Sequence, residues 1–175
     1  MKTNMGNIEL ELFSEEAPIT VANFLKYVDS GFYEGIVFHR VIAGFMIQGG
    51  GFNQQLEKQA TEASIKNESG NGLSNRAGTI SMARTNAPHS ATSQFFINSV
   101  NNPNLDARGG RHGYAVFGRV TQGMDLVKRI SRLPTQVRGQ HRNLPKRAVV
   151  IENVSRVTVA NTQSPAATTS PNPAN

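Results

Sequence analysis

The stretch that most limits what this chain can become is Phe38 to Gly51, FHRVIAGFMIQGGG, which sets one arginine among large apolar residues and then runs into three glycines. In an extended strand successive side chains alternate faces, so Phe38, Arg40 and Ile42 share one face and His39 and Val41 the other. Gly44 predicts a turn, after which Met46 and Gln48 share a face and Phe45 joins them from the strand's entrance. A hairpin of this kind presents Arg40, Phe45, Met46 and Gln48 to one spot, a fork of donors beside an apolar pocket. An isolated arginine on a strand more commonly pairs with a surface carboxylate, so the rest of the chain has to decide between the two readings.

Asn7–Phe13 alternates cleanly, with Ile8, Leu10 and Leu12 against Glu9 and Glu11, the pattern of a half-buried strand. Val21, Phe24, Leu25 and Val28 fall at i, i+3, i+4, i+7. They predict an amphipathic helix with Pro18 in its first turn, Glu15 and Glu16 near its positive end and Gly31 as its stop. Phe52–Leu73 is polar and turn-rich and reads as a long surface excursion. Gly78–Met82 is a short strand with Ile80 and Met82 on one face, and a loop follows over Ala83–Thr92. In Ser93–Ile97, Gln94 and Phe96 take one face and Phe95 and Ile97 the other. Asn101–Gly113 is a second loop in which Leu105 is the only sizeable apolar residue. Tyr114–Val120 is a strand, and Gly123–Leu133 a short helix resting on Met124, Val127 and Ile130 and closed by Pro134. Thr135–Lys146 reads as a basic loop and Val149–Val159 as the last strand or strands. Thr162–Asn175 contains only Thr, Gln, Ser, Pro, Ala and Asn; with nothing to bury, it is expected to be disordered. Seven or so strands and two helices that do not alternate as βαβ units point to a sandwich or a barrel.

Composition removes several chemistries. The 175 residues suit one domain. Without cysteine there are no disulfides, thiol nucleophiles or thiolate zinc sites, which fits a reducing compartment. No apolar run is long enough to span a bilayer, and the N-terminus lacks the apolar core of a signal peptide and reads as mature structure. His39, His89, His112 and His141 have no partner at ligand spacing, so no metal is expected. The glycines at 49–51 do not form a phosphate-binding fingerprint, and no paired carboxylates or nucleophile elbow stand out. The net charge of +6 is uneven: residues 1–70 hold five Lys/Arg against nine Asp/Glu, residues 106–156 eleven against three. Such a basic half can attract nucleic acid through its field. No recognition motif accompanies it, and ordinary solvated surface is the expectation.

The segments FHRVIAGFMIQGGGF, GTISMAR, SATSQFFIN and YAVFG, in this order and at these intervals, resemble the cyclophilin-type peptidyl-prolyl cis-trans isomerases, most closely their bacterial cytoplasmic branch; the likeness runs from about Gly6 to Val157. It implies a mainly β fold, a closed eight-stranded antiparallel barrel capped by two α-helices, with the active groove on the outer wall. Because only Met1–Asn4 precede the turn before Ile8, either the first strand is shortened or the barrel closes imperfectly at that seam. Residues 1–160 would form this domain and 161–175 a disordered tail. Carried over by position, the resemblance makes Arg40 the catalytic residue and Phe45, Met46, Phe96 and Leu105 the proline pocket. Gln48 and Gln94 fall on its polar positions, and the backbone of Ala83 and Arg84 on its peptide-anchoring edge. Tyr114 stands where animal members carry histidine, Arg84 where they carry asparagine and Asn104 where they carry tryptophan. Loss of that tryptophan implies weak cyclosporin binding.

The implied activity is acceleration of X–Pro rotation in protein substrates, assisting folding. Arg40 would stabilise the twisted imide without a covalent intermediate or cofactor. The implied partners are proline-containing polypeptides, with no membrane or nucleic acid, and the expected state is a cytoplasmic monomer. A prolyl-peptide-binding module or chaperone with incidental catalysis is the competing class; in it, loss of Arg40 would spare the biological effect.

Overall fold

A computed structural model describes residues 1–157 of the chain, so the expected tail at 161–175 lies outside the described residues. The strands in chain order are β1 (Lys2–Thr3), β2 (Gly6–Asn7), β3 (Glu9–Leu12), β4 (Arg40–Ile42), β5 (Met46–Gly49), β6 (Thr79–Met82), β7 (Phe95–Asn98), β8 (Val116–Gln122), β9 (Thr135–Arg138), β10 (His141–Pro145) and β11 (Ile151–Asn153). Helix α1 spans Pro18–Asp29 and α2 spans Met124–Ser131. The architecture is mainly β with two helices. Its ladders divide into a six-stranded antiparallel sheet ordered β3-β8-β6-β7-β5-β4, a three-stranded sheet β11-β1-β2 and a two-stranded ribbon β9-β10. β1 is only two residues long.

Register in the large sheet separates two chemistries. Val41 pairs with Ile47, Ile47 with Ile97 and Ile97 with Ile80, so one row of β-branched side chains crosses four strands on one face. All four are essentially inaccessible to solvent. Phe95 and Met82 pair on the same face, and Phe24 of α1 meets the Phe95 ring edge-on at 5.7 Å. The opposite face carries the row Arg40, Gln48, Phe96 and Ser81.

Helix α1 buries Thr20, Val21, Phe24, Tyr27 and Val28, with Tyr27 taking the fully buried place that periodicity assigns to Leu25. Its N-terminus is stabilised from a distance. No acidic residue lies in the first turn; instead the Glu68 carboxylate accepts the Ile19 and Thr20 N–H groups at 3.1 and 2.8 Å and the Thr20 hydroxyl at 2.6 Å. The polar segment Phe52–Leu73 therefore does more than wander over the surface: it carries the helix cap. α2 buries Leu126, Val127 and Ile130.

Two local expectations are corrected. Phe38 does not share the face of Arg40. The ladder of β4 begins only at Arg40, while the Phe38 N–H donates to Val149 O at 2.9 Å and its ring enters the core beside Phe95. The chain thus turns over between Phe38 and Arg40, and His39 is buried as well, under Phe52 and His141. The segment Thr135–Lys146, read as a basic loop, is the β9-β10 hairpin. Its side chains are mostly solvated on both faces, so no apolar alternation marks it, and Leu144 and Pro145 alone among the strand residues are buried.

Candidate functional site

The cross-strand pairs Arg40–Gln48 and Gln48–Phe96 bring residues from three strands into line on the outward face of the sheet. Arg40 is exposed, and its Nη1 donates to Gln48 Oε1 at 3.2 Å; Gln48 Nε2 in turn donates to Gln94 Oε1 at 3.0 Å. One of the five guanidinium N–H groups is thereby tethered while the others stay available. The glycine run explains why Gln94 can reach this position. Gly50 has φ +93°, and a Cβ there would stand 2.6 Å from Ser93 O; a Cβ on Gly51 would stand 2.6 Å from the Gln94 side chain. Backbone and amide pack directly against each other because no side chain intervenes.

Arg40, Phe45, Met46, Phe96, Leu105 and Tyr114 enclose a notch of about 160 Å³. Met46 and Phe96 are almost fully buried, forming its floor, and Phe45, Leu105 and Tyr114 are half-buried walls. The Tyr114 ring meets Phe96 edge-on at 5.6 Å, and the Arg84 guanidinium lies over its other side at 4.6 Å from the ring centre. Arg84 also donates to Gly113 O at 3.0 Å and His112 O at 2.9 Å, so its side chain braces the loop that carries Tyr114. The Ala83 N–H is already given to Gln94 O at 3.0 Å. Among the described residues no partner meets the Arg84 N–H, so the open backbone edge beside the notch begins at Arg84.

Of the residues singled out from the sequence, Arg40, Gln48 and Gln94 form one hydrogen-bonded chain, and Arg40, Phe45, Met46, Phe96, Leu105 and Tyr114 one apolar notch. Ala83 and Arg84 flank it through backbone and through Arg84's clamp.

Sequence reasoning missed the polar scaffold behind the notch. Asn75 Oδ1 accepts from Ser81 Oγ at 2.8 Å and from Asn98 Nδ2 at 3.2 Å, and Asn102 Nδ2 donates to Asn98 Oδ1 at 2.7 Å and to Phe45 O at 3.0 Å. Asp106 takes the Asn75 N–H at 2.8 Å, its Nδ2 at 2.9 Å and the Ser74 hydroxyl at 2.6 Å. Burial alone would raise the Asp106 pKa. The hydrogen bonds from Asn75 and Ser74, with the charge of Arg108, outweigh it, and the carboxyl lies below its ordinary range. The scaffold fixes Phe45 and the Pro103–Leu105 turn, hence two walls of the notch. The signal available was Asn98, which alternation puts on the face of Phe96 at a strand end otherwise made of aromatic and aliphatic residues.

His39 was also missed. It is 6% exposed, its Nδ1 has no partner, and burial, reinforced by the nearby His141 and Arg40, lowers its pKa to about 4. At neutral pH it is an uncharged imidazole next to the catalytic candidate. Among the described residues no group of three or more metal-ligating side chains occurs, and no helix is long and apolar enough to cross a membrane.

Comparisons with known proteins identify relatives by sequence and by fold. The family described as cyclophilin type peptidyl-prolyl cis-trans isomerase/CLD matches residues 1–156. A peptidyl-prolyl cis-trans isomerase of Acinetobacter baylyi is 55% identical over 154 residues, which cover 88% of this chain and 82% of the relative. Peptidyl-prolyl cis-trans isomerase B of Escherichia coli is 51% identical over 156 residues, covering 87% of this chain and 95% of its own length. Among solved structures, a cyclophilin type peptidyl-prolyl cis-trans isomerase of Cryptosporidium parvum, determined in the presence of the dipeptide ala-pro, aligns with a TM-score of 0.71 at 28% identity, covering 86% of this chain and 92% of that one. Matched over nearly all of its described length by sequence and by fold, this chain belongs to the cyclophilin-type peptidyl-prolyl cis-trans isomerase family.

Proposed function

We propose that the chain performs its family's reaction, cis–trans isomerisation of X–Pro bonds in polypeptides, through Arg40. Rotation about the imide breaks amide conjugation and, unaided, takes tens to hundreds of seconds. The reaction transfers no proton and needs no covalent adduct. As the bond twists, the prolyl nitrogen regains its lone pair, and a guanidinium donor aimed at that nitrogen binds the twisted form better than either planar isomer. Moving from roughly 0.01 per second to roughly 10 per second needs about 4 kcal/mol, which a charged donor in a dry groove largely supplies. Arginine suits the task because it stays charged and its planar fork fixes direction.

The single observation that carries this reading is the rim position of Arg40: one guanidinium, tethered by Gln48, bordering an apolar notch built from Phe45, Met46, Phe96, Leu105 and Tyr114. The proline ring occupies the notch. The flanking peptide runs along the Arg84 backbone edge, with Gln48 and Gln94 holding the arginine and meeting the substrate's polar groups. Exchange NMR on a short prolyl peptide tests it. Arg40→Ala is expected to lose most of the catalysed exchange while its fold persists, and an unchanged rate would defeat the mechanism.

Finer points of the same reading follow. The catalytic domain takes in the residues up to 156 that the family matches, and its expected end at 160 lies outside the described residues. Its sheets close into an eight-membered barrel. In support, Gly35 N–H donates to Ile151 O and Ile151 N–H to Ile36 O, joining the segment before β4 to β11, while β1 pairs with both β11 and β2, which leads on into β3. Asn104, exposed on the turn beside the notch, supplies no large aromatic surface, so cyclosporin binds weakly. The chain acts as a monomer on unfolded or folded proline-containing proteins. The absence of cysteine suits a cytoplasmic location.

A further inference from the structure

Arg40 lines two concavities. One is the apolar notch; the other, about 420 Å³, is bounded by His39, Arg40 and Gln94 on one side and by His141, Arg142 and Asn143 of the β10 strand on the other. Its charged groups are of one sign. Arg40 and Arg142 contribute full positive charges, and no carboxylate lines it. The ion pairs among the described residues are Lys2–Glu152, Lys26–Glu62, Arg119–Glu11 and Arg156–Asp29, so neither arginine has an acidic partner. His39, itself nine-tenths buried and uncharged at neutral pH, adds no charge to this lining. Two guanidiniums that share one cavity with no carboxylate between them leave their contacts to be completed by an anionic acceptor from outside.

We propose that this concavity is a subsite for a carboxylate side chain, Asp or Glu, of the substrate polypeptide, borne by a residue flanking the proline. The inference rests on the isomerase reading above and adds a substrate preference to it. Proximity follows from the shared wall: Arg40 borders both cavities, and consecutive residues of an extended peptide advance at most about 3.6 Å each, so a chain with its proline in the notch carries a neighbour into the second cavity. Arg142 is exposed on the hairpin and free to close on the carboxylate, with the uncommitted N–H groups of Arg40 opposite. The hairpin that brings Arg142 there packs through β10 against β4, the strand that begins with Arg40.

The test compares peptides of one sequence that carry Glu or the isosteric Gln at each of the two positions on either side of the proline, with kcat/KM read by exchange NMR. Glu is expected to exceed Gln by about fivefold at one position, the scale of a charge-assisted contact at a half-open site. That ratio is expected to fall towards one in Arg142→Gln, to persist in Arg142→Lys and to shrink as salt is raised. A ratio of one at every position in the unaltered protein, or a Glu preference that survives Arg142→Gln, would overturn the subsite while leaving the isomerase reading in place. Absence of catalysed exchange on any of these peptides would overturn both.

Discussion

The two faces of the six-stranded sheet are built from the same strands, one residue out of phase, and they behave as different materials. The inner row, Val41, Ile47, Ile97 and Ile80, is held by packing alone, and every member has lost its contact with water. The outer row, Arg40, Gln48, Phe96 and Ser81, is held at its ends by directed contacts: an amide relay to the arginine at one end and the Asn75–Asn98–Asn102 network at the other. Packing is non-directional and tolerates repacking, whereas a hydrogen-bond network holds its members at set angles. The inner face therefore sets whether the chain folds, and the outer face where the guanidinium and the notch walls stand.

Substitutions that respect this division sharpen it, and ones that cross it break it. The largest expected effect belongs to the inner face. Phe95→Ala, which empties the junction of Phe24, Tyr33 and Phe38, is expected to lower unfolding free energy by about 4 kcal/mol. Denaturant titration reads it directly, and a loss below about 1 kcal/mol would show that the core is not shared in this way. Next comes Arg40→Ala, expected to reduce kcat/KM about a hundredfold, near 2.7 kcal/mol in transition-state terms, with a denaturation midpoint within experimental error of the parent's. A comparable drop in stability would erase the contrast between the faces.

Asn98→Ala tests whether the outer network is structural scaffold for the notch. It strips hydrogen-bond partners from buried Asn75 and Asn102, and a loss of about 2 kcal/mol in stability is expected, together with a raised KM. Unaltered KM would detach the scaffold from the site.

The smallest effect is a pH dependence. His39 has its folded pKa lowered to about 4, below the unfolded value near 6.5, so the unfolded chain binds the extra proton first. Above pH ~6.5 both states hold a neutral imidazole and nothing is lost; as pH falls from there towards ~4, stability declines, by about 1 kcal/mol between pH 7 and 5.5. His39→Phe is expected to flatten that acid limb, and a limb of the same slope would assign it to other groups.

Much of the fold could be read from local pattern. Alternation in Ser93–Ile97 correctly separates Gln94 and Phe96 from Phe95 and Ile97, and the spacing of Val21, Phe24 and Val28 locates α1. The pattern failed where the chain leaves ideal geometry. Between Phe38 and Arg40 it turns over, so two residues expected to share a face are divided between core and surface. The β9-β10 ribbon escaped notice because strands mostly solvated on both faces have no hydrophobic period. The Glu68 cap joins residues 48 positions apart, a separation no local window spans.

By itself the sequence determined part of the candidate site: alternation assigned faces to Arg40, Met46, Gln48, Gln94 and Phe96, while Leu105 and Tyr114 came only from the likeness to a family. Tertiary structure alone decided how those segments meet. The Arg40–Gln48–Gln94 relay, the asparagine scaffold beneath Phe45 and the cationic cavity beneath Arg142 depend on cross-strand register and on loops folded over the sheet. The physical reason is range: alternation and helical spacing are properties of neighbours in the chain, while hydrogen-bond direction and charge proximity are properties of neighbours in space.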